Sequence, residues 1–311
     1  MPKQIVVVGS INLDLVASVE RMPAEGETVP GESFAMHSGG KGANQAVAAA
    51  RLGADVHMIG RVGDDVFAPQ LLRDLTEAGA HTDCVRVAPG PSGTAVITVS
   101  AHGANSIIVI SGANDQLQPS SLDEHMAVIR EAAILLCQLE IPMETVEYLG
   151  TLAERFQIPL VLDPAPARAL SSRVLRNVTW LTPNESECAT LLEHLGHGAD
   201  ADMRSEAAMQ AAADQLLALG VRNVILKLGA RGVFLHGRDV APVLIPPFHV
   251  HAVDSTAAGD AFNGGFAYAL AHEGMAPAEA ARFACAVAAV SVTRAGAQPS
   301  MPTLAEVKAL L

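Results

Sequence analysis

Ile5-Val6-Val7-Val8-Gly9-Ser10-Ile11-Asn12-Leu13-Asp14 is the stretch from which the fold follows. Its apolar run, Ile5 to Val8, reads as a buried strand, and the polar residues Asn12 and Asp14 stand beyond its carboxyl end, alternate residues on one side. Open α/β sheets bind ligands at that end of their strands. Working outward, further short apolar runs predict strands at Val56 to Val62, Ala133 to Gln138, Leu160 to Leu162, Val178 to Leu181 and Val224 to Leu228. Between them lie segments of helical period. Ala43 to Leu52 carries apolar residues at 43, 46, 47 and 50, an i, i+3, i+4, i+7 stripe that ends at Gly53. This alternation implies βαβ units around a largely parallel sheet, an α/β fold.

Two stretches break the helical rhythm. Leu13 to Ala35, and Thr94 to Ile110 with its turn at His102-Gly103-Ala104-Asn105, read as antiparallel strands. A β segment inserted into an α/β chain must be covered or must project, so a small sheet standing off the main body is expected, a lid or a dimer surface. Past Phe248 the pattern turns helical again, over Ala258 to His272 and Pro277 to Val292.

Composition excludes several classes. The chain has 311 residues, half of them apolar and 17% charged, which fits neither a disordered nor a disulfide-dense secreted chain. With 20 basic against 33 acidic residues the net charge is −13, which argues against a broad nucleic-acid or anionic-membrane surface. A metal-bound anionic substrate remains compatible. Cys84, Cys137, Cys188 and Cys285 form no C-x-x-C pair, as free core thiols in a reducing cytosol do. Met1 to Asp14 is too short in apolar run for a signal peptide, and Phe283 to Val290 falls short of the ~18 residues of a membrane helix. A soluble, cytoplasmic protein is expected.

The densest glycine cluster, Gly39-Gly40-Lys41-Gly42-Ala43-Asn44-Gln45, opens the alanine-rich helix. It fails as a Walker A loop, because Ala35 stands where the first glycine belongs and Gly42 where Ser or Thr belongs. It fails as a dinucleotide fingerprint because Gln45 takes the last glycine position. What remains is backbone that a small ligand can approach closely, with Lys41 and Asn44 at the helix start, or simple tight packing. Asn12 and Asp14 suit adjacent hydroxyls of a sugar or, equally, a turn. Asp254-Ser255-Thr256-Ala257-Ala258-Gly259-Asp260 precedes a helix, and its small residues let successive amides converge into an anion-binding concavity. Asp260 beside that concavity is suited to take a proton from an attacking hydroxyl. Thr182-Pro183-Asn184-Glu185-Ser186-Glu187 offers carboxylates for magnesium and its waters, or a solvated helix start. Gly229 and Gly232 suit a hairpin, and the eleven histidines show no zinc-type spacing.

Taken in order, these motifs resemble the ribokinase branch of the PfkB family of carbohydrate kinases, over essentially the whole chain. Gly39 to Asn44 is similar to the first family signature and Asp254 to Asp260 to the second, D-T-x-A-A-G-D; Gln138-Leu139-Glu140, Asp163-Pro164-Ala165-Pro166-Ala167 and Thr293 to Ser300 are similar too. The resemblance implies one ribokinase-like, three-layer kinase domain over 1–311, with a mostly parallel sheet and a small β lid from about 13–38 and 94–110. It implies a sugar site of Asn12, Leu13, Asp14, Gly40, Lys41, Gly42, Ala43, Asn44, Glu140 and Asp260, with Asp260 as the base and the amides of Ala257, Ala258 and Gly259 as the anion hole.

By the same resemblance Asn184, Lys227, Leu228, Gly229, Ala230, Arg231, Gly232, Gly259, Asp260 and Cys285 border ATP, and Glu187 helps hold Mg2+ through water. An activating K+ falls to Asp254, Thr256, Ser291, Arg294, Gly296 and Ser300. The lid is implied to form a homodimer contact and to exclude water on closing. Three positions depart from the pattern: Asp163 where Asn is frequent, Lys227 where Thr is frequent, and Cys285 where His or Asn is frequent. The expected activity is phosphorylation of ribose at O5. A kinase for 2-deoxyribose, another sugar or a nucleoside is the nearest alternative, and a non-catalytic sugar sensor a more distant one. Asn12 beside Asp14 favours a sugar that has a 2-hydroxyl to bind.

Overall fold

Successive residues of a strand face opposite ways, and in the first strand both faces are buried: Ile5 and Val7 pack into one half of the core, Val6 and Val8 into the other. The first half contains the helices Lys41–Arg51, Ala258–Ala267 and Pro277–Ser291, the second the helices Met143–Phe156 and Glu206–Ala218. The result is a three-layer α/β protein. The computed structural model describes residues 4–194, 196, 203–238 and 240–311, so Met1 to Lys3 of the N-terminal stretch lie outside the described residues.

The strands are β1 (Gln4–Val8), β2 (Asn12–Val19), β3 (Gly31–Gly39), β4 (Val56–Gly63), β5 (Ala80–His81), β6 (Val85–Ala88), β7 (Gly93–Ser100), β8 (Asn105–Ile110), β9 (Ala132–Cys137), β10 (Leu160–Leu162), β11 (Trp180–Leu181), β12 (Asn223–Lys227), β13 (Val233–Gly237) and β14 (Val243–Ile245). The main sheet has ten strands in the order β14-β13-β12-β11-β10-β9-β1-β4-β5, with β6 also on β4. Its pairs from β12 to β5 are parallel, while β12-β13 and β13-β14 are antiparallel. The strands β5, β6, β13 and β14 have no counterpart among the predicted strands.

A second sheet runs β3-β2-β7-β8. Each stretch read as antiparallel is a hairpin, but the two hairpins join through β2 and β7 in parallel, with Asp14 beside Ala95. Hairpins announce themselves locally through their turns, whereas the pairing between distant strands does not. The predicted helix Ala258 to His272 is α-helical to Ala267 and then passes through a π-helical turn, Tyr268–His272.

Candidate active site

The start of the helix Lys41–Arg51 is pressed against the end of β1. Gly40 has φ +87, and a Cβ there would lie 2.7 Å from the Asn12 amide nitrogen; one on Gly42 would lie 2.7 Å from the Ser10 nitrogen. Only glycine permits this approach. Glu140 fastens the junction, its Oε2 accepting from Ser10 Oγ at 2.6 Å and from the Lys41 amide at 3.1 Å, while Gly42 N donates to Ser10 Oγ at 3.3 Å. A carboxylate at a helix N-terminus also meets the positive end of the dipole.

Asn12 is buried, its Oδ1 accepting from Asn114 Nδ2 at 2.7 Å. Asn114 in turn holds the Ile11 backbone, accepting from its N–H at 2.9 Å and donating to its carbonyl at 3.3 Å. Asp14 lies on β2 against Gly39, where any Cβ would strike its carboxylate, and Leu13 between them is fully buried core. Burial pushes the Asp14 carboxyl up to about 7, helped by the negative charges of Glu140 and Asp260.

Asp260 sits in the first turn of the helix Ala258–Ala267, 5% exposed. Its carboxylate accepts from Asn44 Nδ2 at 3.0 Å and from Gln45 Nε2 at 3.1 Å, two residues of the facing helix start. The same Gln45 nitrogen donates to Asp163 Oδ2 at 3.1 Å, and Gln138 Nε2 donates to Gln45 Oε1 at 2.7 Å, which orients the amide. One NH2 group thus bridges two carboxylates. Burial pushes the Asp260 carboxyl up, to about 6, against the charge of Lys41, with Asp163 adding to the rise. Burial opposes charge on Lys41, but the carboxylates of Asp260, Asp163, Glu140 and Glu187 outweigh it and hold the ammonium well above its ordinary range.

Ala257 caps this helix at φ 57, a left-handed conformation that costs an alanine roughly 1–2 kcal/mol. Strain of this kind clusters at functional sites, and here it stands at a helix start beside the buried Asp260. The Ala258 amide donates to the Ser255 carbonyl at 3.2 Å, whereas the amides of Ala257, Gly259 and Asp260 have no backbone acceptor among the described residues. Of the three amides expected to form an anion hole, that of Ala258 is thus engaged in its own turn, while those of Ala257 and Gly259 have no backbone acceptor among the described residues. Lys227 overlooks this place: a Cβ on Gly259 would lie 3.2 Å from its Nζ. That ammonium pairs with Asp163 Oδ1 at 2.9 Å, so two of the three residues that depart from the family pattern neutralise one another.

Asn184 and Glu187 form a reciprocal cap on the helix Glu185–His194. Glu187 N donates to Asn184 Oδ1 at 2.8 Å and Asn184 N to Glu187 Oε2 at 2.7 Å. Burial raises the Glu187 carboxyl, Lys227 lowers it and Asp163 raises it again. Leu228 leads into a 3-10 turn, Gly229 to Arg231 with Ala230 at its centre, closed by Gly232 and followed by β13, so the hairpin reading of these glycines holds. Cys285 is buried on the helix Pro277–Ser291, its thiol pushed up to about 12 by burial, and among the described residues it makes no hydrogen bond to this group.

Asp254 ties the loop before the helix Ala258–Ala267 to the turns near the C-terminal end. Its Oδ1 accepts from Thr256 N at 2.9 Å and Thr256 Oγ1 at 2.7 Å, its Oδ2 from Gly296 N at 2.8 Å. Burial works against its charge, but these donors win and hold the carboxyl below its usual range. The carbonyls of Thr256, Arg294 and Gly296 accept no backbone hydrogen bond among the described residues, and that of Ser291 accepts one from Arg294 N at 3.3 Å. The Ser300 hydroxyl donates to Ala297 O at 2.7 Å, leaving its lone pairs free.

Sequence reasoning left out Asn114, Ser10 and the bridging role of Gln45. Gln45 stands inside the quoted glycine cluster, so its position was visible; Asn114 sits in a short 3-10 segment that carries no motif.

Comparison with known proteins gives one consistent result. The pfkB family carbohydrate kinase pattern matches residues 2–304. The ribokinase of Bacillus subtilis is 43% identical over 310 residues, covering 99% of each chain. The deoxyribokinase of Salmonella typhi is 38% identical over 302 residues, 96% of each. The structure of Arabidopsis thaliana ribokinase complexed with ribose and ATP superposes with a TM-score of 0.91 at 34% identity, covering 100% of this chain and 99% of that one.

Proposed function

The chain belongs to the PfkB family of carbohydrate kinases, and from that premise we propose that it is an ATP-dependent ribokinase, converting D-ribose to D-ribose 5-phosphate. The observation that carries the reading is the buried Asp260 carboxylate, held by Asn44 and Gln45 next to amides that have no acceptor of their own. A base placed there has one use: it removes a proton from a hydroxyl as that oxygen attacks an anion bound at the helix start.

In this mechanism Asn12 and Asp14 hold hydroxyls of the sugar, and Gly40, Gly42 and Ala43 let it lie against bare backbone. Glu140 acts by fixing the helix start. Asp260 takes the proton of the 5-hydroxyl, whose oxygen forms a bond to the γ-phosphorus in line as the bond to the ADP oxygen breaks. The Gly259 and Asp260 amides, Lys41 and Lys227 meet the charge on the transferring group, an electrostatic contribution made before the reaction starts. Asn184, the Lys227 to Gly232 segment and Cys285 border the nucleotide.

The carboxylates of Glu187, raised chiefly by burial and further by Asp163, and of Asp163 itself offer oxygen ligands that fit magnesium held largely through water. When bound, the ion neutralises phosphate charge. The unpartnered carbonyls of Thr256, Arg294 and Gly296, with Ser291, Ser300 and Asp254, fit a potassium ion, which would brace the loop carrying Ala257. The β3-β2-β7-β8 sheet is assigned as a lid that closes over the sugar, limiting water, and as the contact surface of a homodimer. Among the described residues no helix is long and apolar enough to cross a membrane, and the four unpaired, buried cysteines suit a reducing cytosol.

The test is ATP-dependent phosphorylation of ribose, 2-deoxyribose, fructose and adenosine side by side, with magnesium, in potassium and then in a bulky organic-cation buffer. Ribose preference with potassium stimulation is expected. Preference for 2-deoxyribose, as the Salmonella relative's name would have it, overturns the substrate assignment and keeps the base. No turnover of any of the four overturns the kinase reading.

A further inference from the structure

His57 and His81 carry no part of the chemistry above, yet they stand together with Asp55 at the opposite end of the main sheet from the catalytic cluster. Strand alternation puts Asp55 and His57 on one face, two residues apart, and the parallel pairing of β4 with β5 sets His81 directly beside His57. The Ile5 amide donates to the Asp55 carbonyl at 2.8 Å, which anchors that residue to β1. The two imidazole rings stack with centroids 4.5 Å apart and planes 21° from parallel. Both Nε2 atoms face one carboxylate oxygen: Asp55 Oδ1 is 3.4 Å from His57 and 3.1 Å from His81. One ligand atom from each residue lies within 4.8 Å of the other two.

We propose that Asp55, His57 and His81 form a binding site for a divalent transition-metal ion of the zinc class, clamping the edge strand β5 to the sheet. Two ligand atoms on one tetrahedral zinc, at bonds of about 2.0–2.1 Å, stand about 3.3 Å apart, close to both carboxylate–imidazole separations seen here. Two imidazoles and a carboxylate are a common zinc ligand set, with water free to take the fourth position from the open side, where His81 is 51% exposed. Charge points the same way. A divalent ion places positive charge beside the Asp55 carboxylate and both imidazole nitrogens. Magnesium does not compete, because it favours oxygen ligands.

An ion that binds the folded chain and not the unfolded one raises stability by mass action. The test uses the full-length protein in chelator-free buffer with excess magnesium. Zinc is titrated calorimetrically and by equilibrium dialysis, with cobalt as a spectroscopic probe, on the native chain, on His81→Ala and on His81→Gln. Expected are one zinc per chain, a visible cobalt band of nitrogen-ligated tetrahedral type, a zinc-dependent rise in Tm, and at least about a tenfold loss of affinity in both variants. Sugar phosphorylation with magnesium stays unchanged in them, because His81 lies outside the catalytic machinery. No zinc uptake by the native chain, or equal uptake by chain and variants, overturns the site.

Discussion

Asp260, assigned as the base in the proposed mechanism, has a carboxyl that burial pushes up against the charge of Lys41. With its carboxyl raised to about 6, it is ionised and able to accept a proton above that pH and idle below it. The kcat/KM for ribose is expected to rise with pH through about 6 and level off, measured over a pH series at fixed ionic strength. Asp260→Asn keeps the bonds' shape but cannot take a proton; phosphorylation is expected to fall by roughly 10²–10⁴-fold while ribose binding, read calorimetrically, persists. Asp14 shows what such burial costs. Its pKa is raised from 3.8 to about 7, so the folded chain holds more protons than the unfolded one between those values. Its contribution to stability therefore declines as pH climbs through that window, with the full penalty present above it. Asp14→Asn is expected to raise stability at pH 8 by about 1–2 kcal/mol in urea unfolding and to abolish tight ribose binding. The pair Asp163 and Lys227 must change together. Lys227→Met leaves a buried carboxylate without its partner and costs about 3–5 kcal/mol, whereas Asp163→Asn combined with Lys227→Thr restores most of that stability. A double variant no more stable than Lys227→Met alone would show the pair to be unimportant.

At the scale of elements, the site exists because two helices start side by side. The helices Lys41–Arg51 and Ala258–Ala267 cross so closely that a Cβ on Gly264 would lie 2.6 Å from the Ala48 Cβ and 2.8 Å from the Gln45 carbonyl. Small residues at the crossing bring Asn44 and Gln45 within reach of Asp260. Gly264→Ala is expected to destabilise by about 1–3 kcal/mol through overpacking and to cut kcat more than KM, since it pushes the base from its donors. Asp65 joins other elements: its Oδ1 accepts from Phe67 N at 3.0 Å, Ala68 N at 3.1 Å and Ser92 Oγ at 2.9 Å, its Oδ2 from Ser92 N at 2.7 Å. It thus caps the helix Ala68–Glu77 and holds the turn leading into β7.

At the scale of the molecule, the second sheet presents apolar side chains with nothing over them. All of β8 is exposed, Ile107 to Ile110 included, and Phe34 and Met36 of β3 are exposed as well. These exposed apolar residues lie on the two opposite edge strands of the sheet, and under the proposed homodimer they are the residues a second copy would cover. Ile108→Asp is expected to convert a dimer into a monomer in sedimentation velocity at micromolar concentration, with a higher KM for ribose if the pairing braces the lid. A native chain that sediments as a monomer at that concentration would remove the dimer.

The fold class was legible in the residues alone, because Ile5 to Val8 and runs such as Leu160 to Leu162 and Val224 to Leu228 are apolar on both faces, as strands buried in a sheet between helices must be. The sequence also determined which segments hold polar groups against bare backbone, since glycine clusters and helix starts are local features of the chain. Tertiary structure decided the rest: that Gln45 bridges Asp163 and Asp260, that Asn114 holds Asn12, that Lys227 stands over Gly259, that β2 joins β7 in parallel, and that Asp55 and His57 meet His81. Each of these joins residues remote in sequence. Only packing fixes such distances, because no local period or motif spacing records which distant elements will lie side by side.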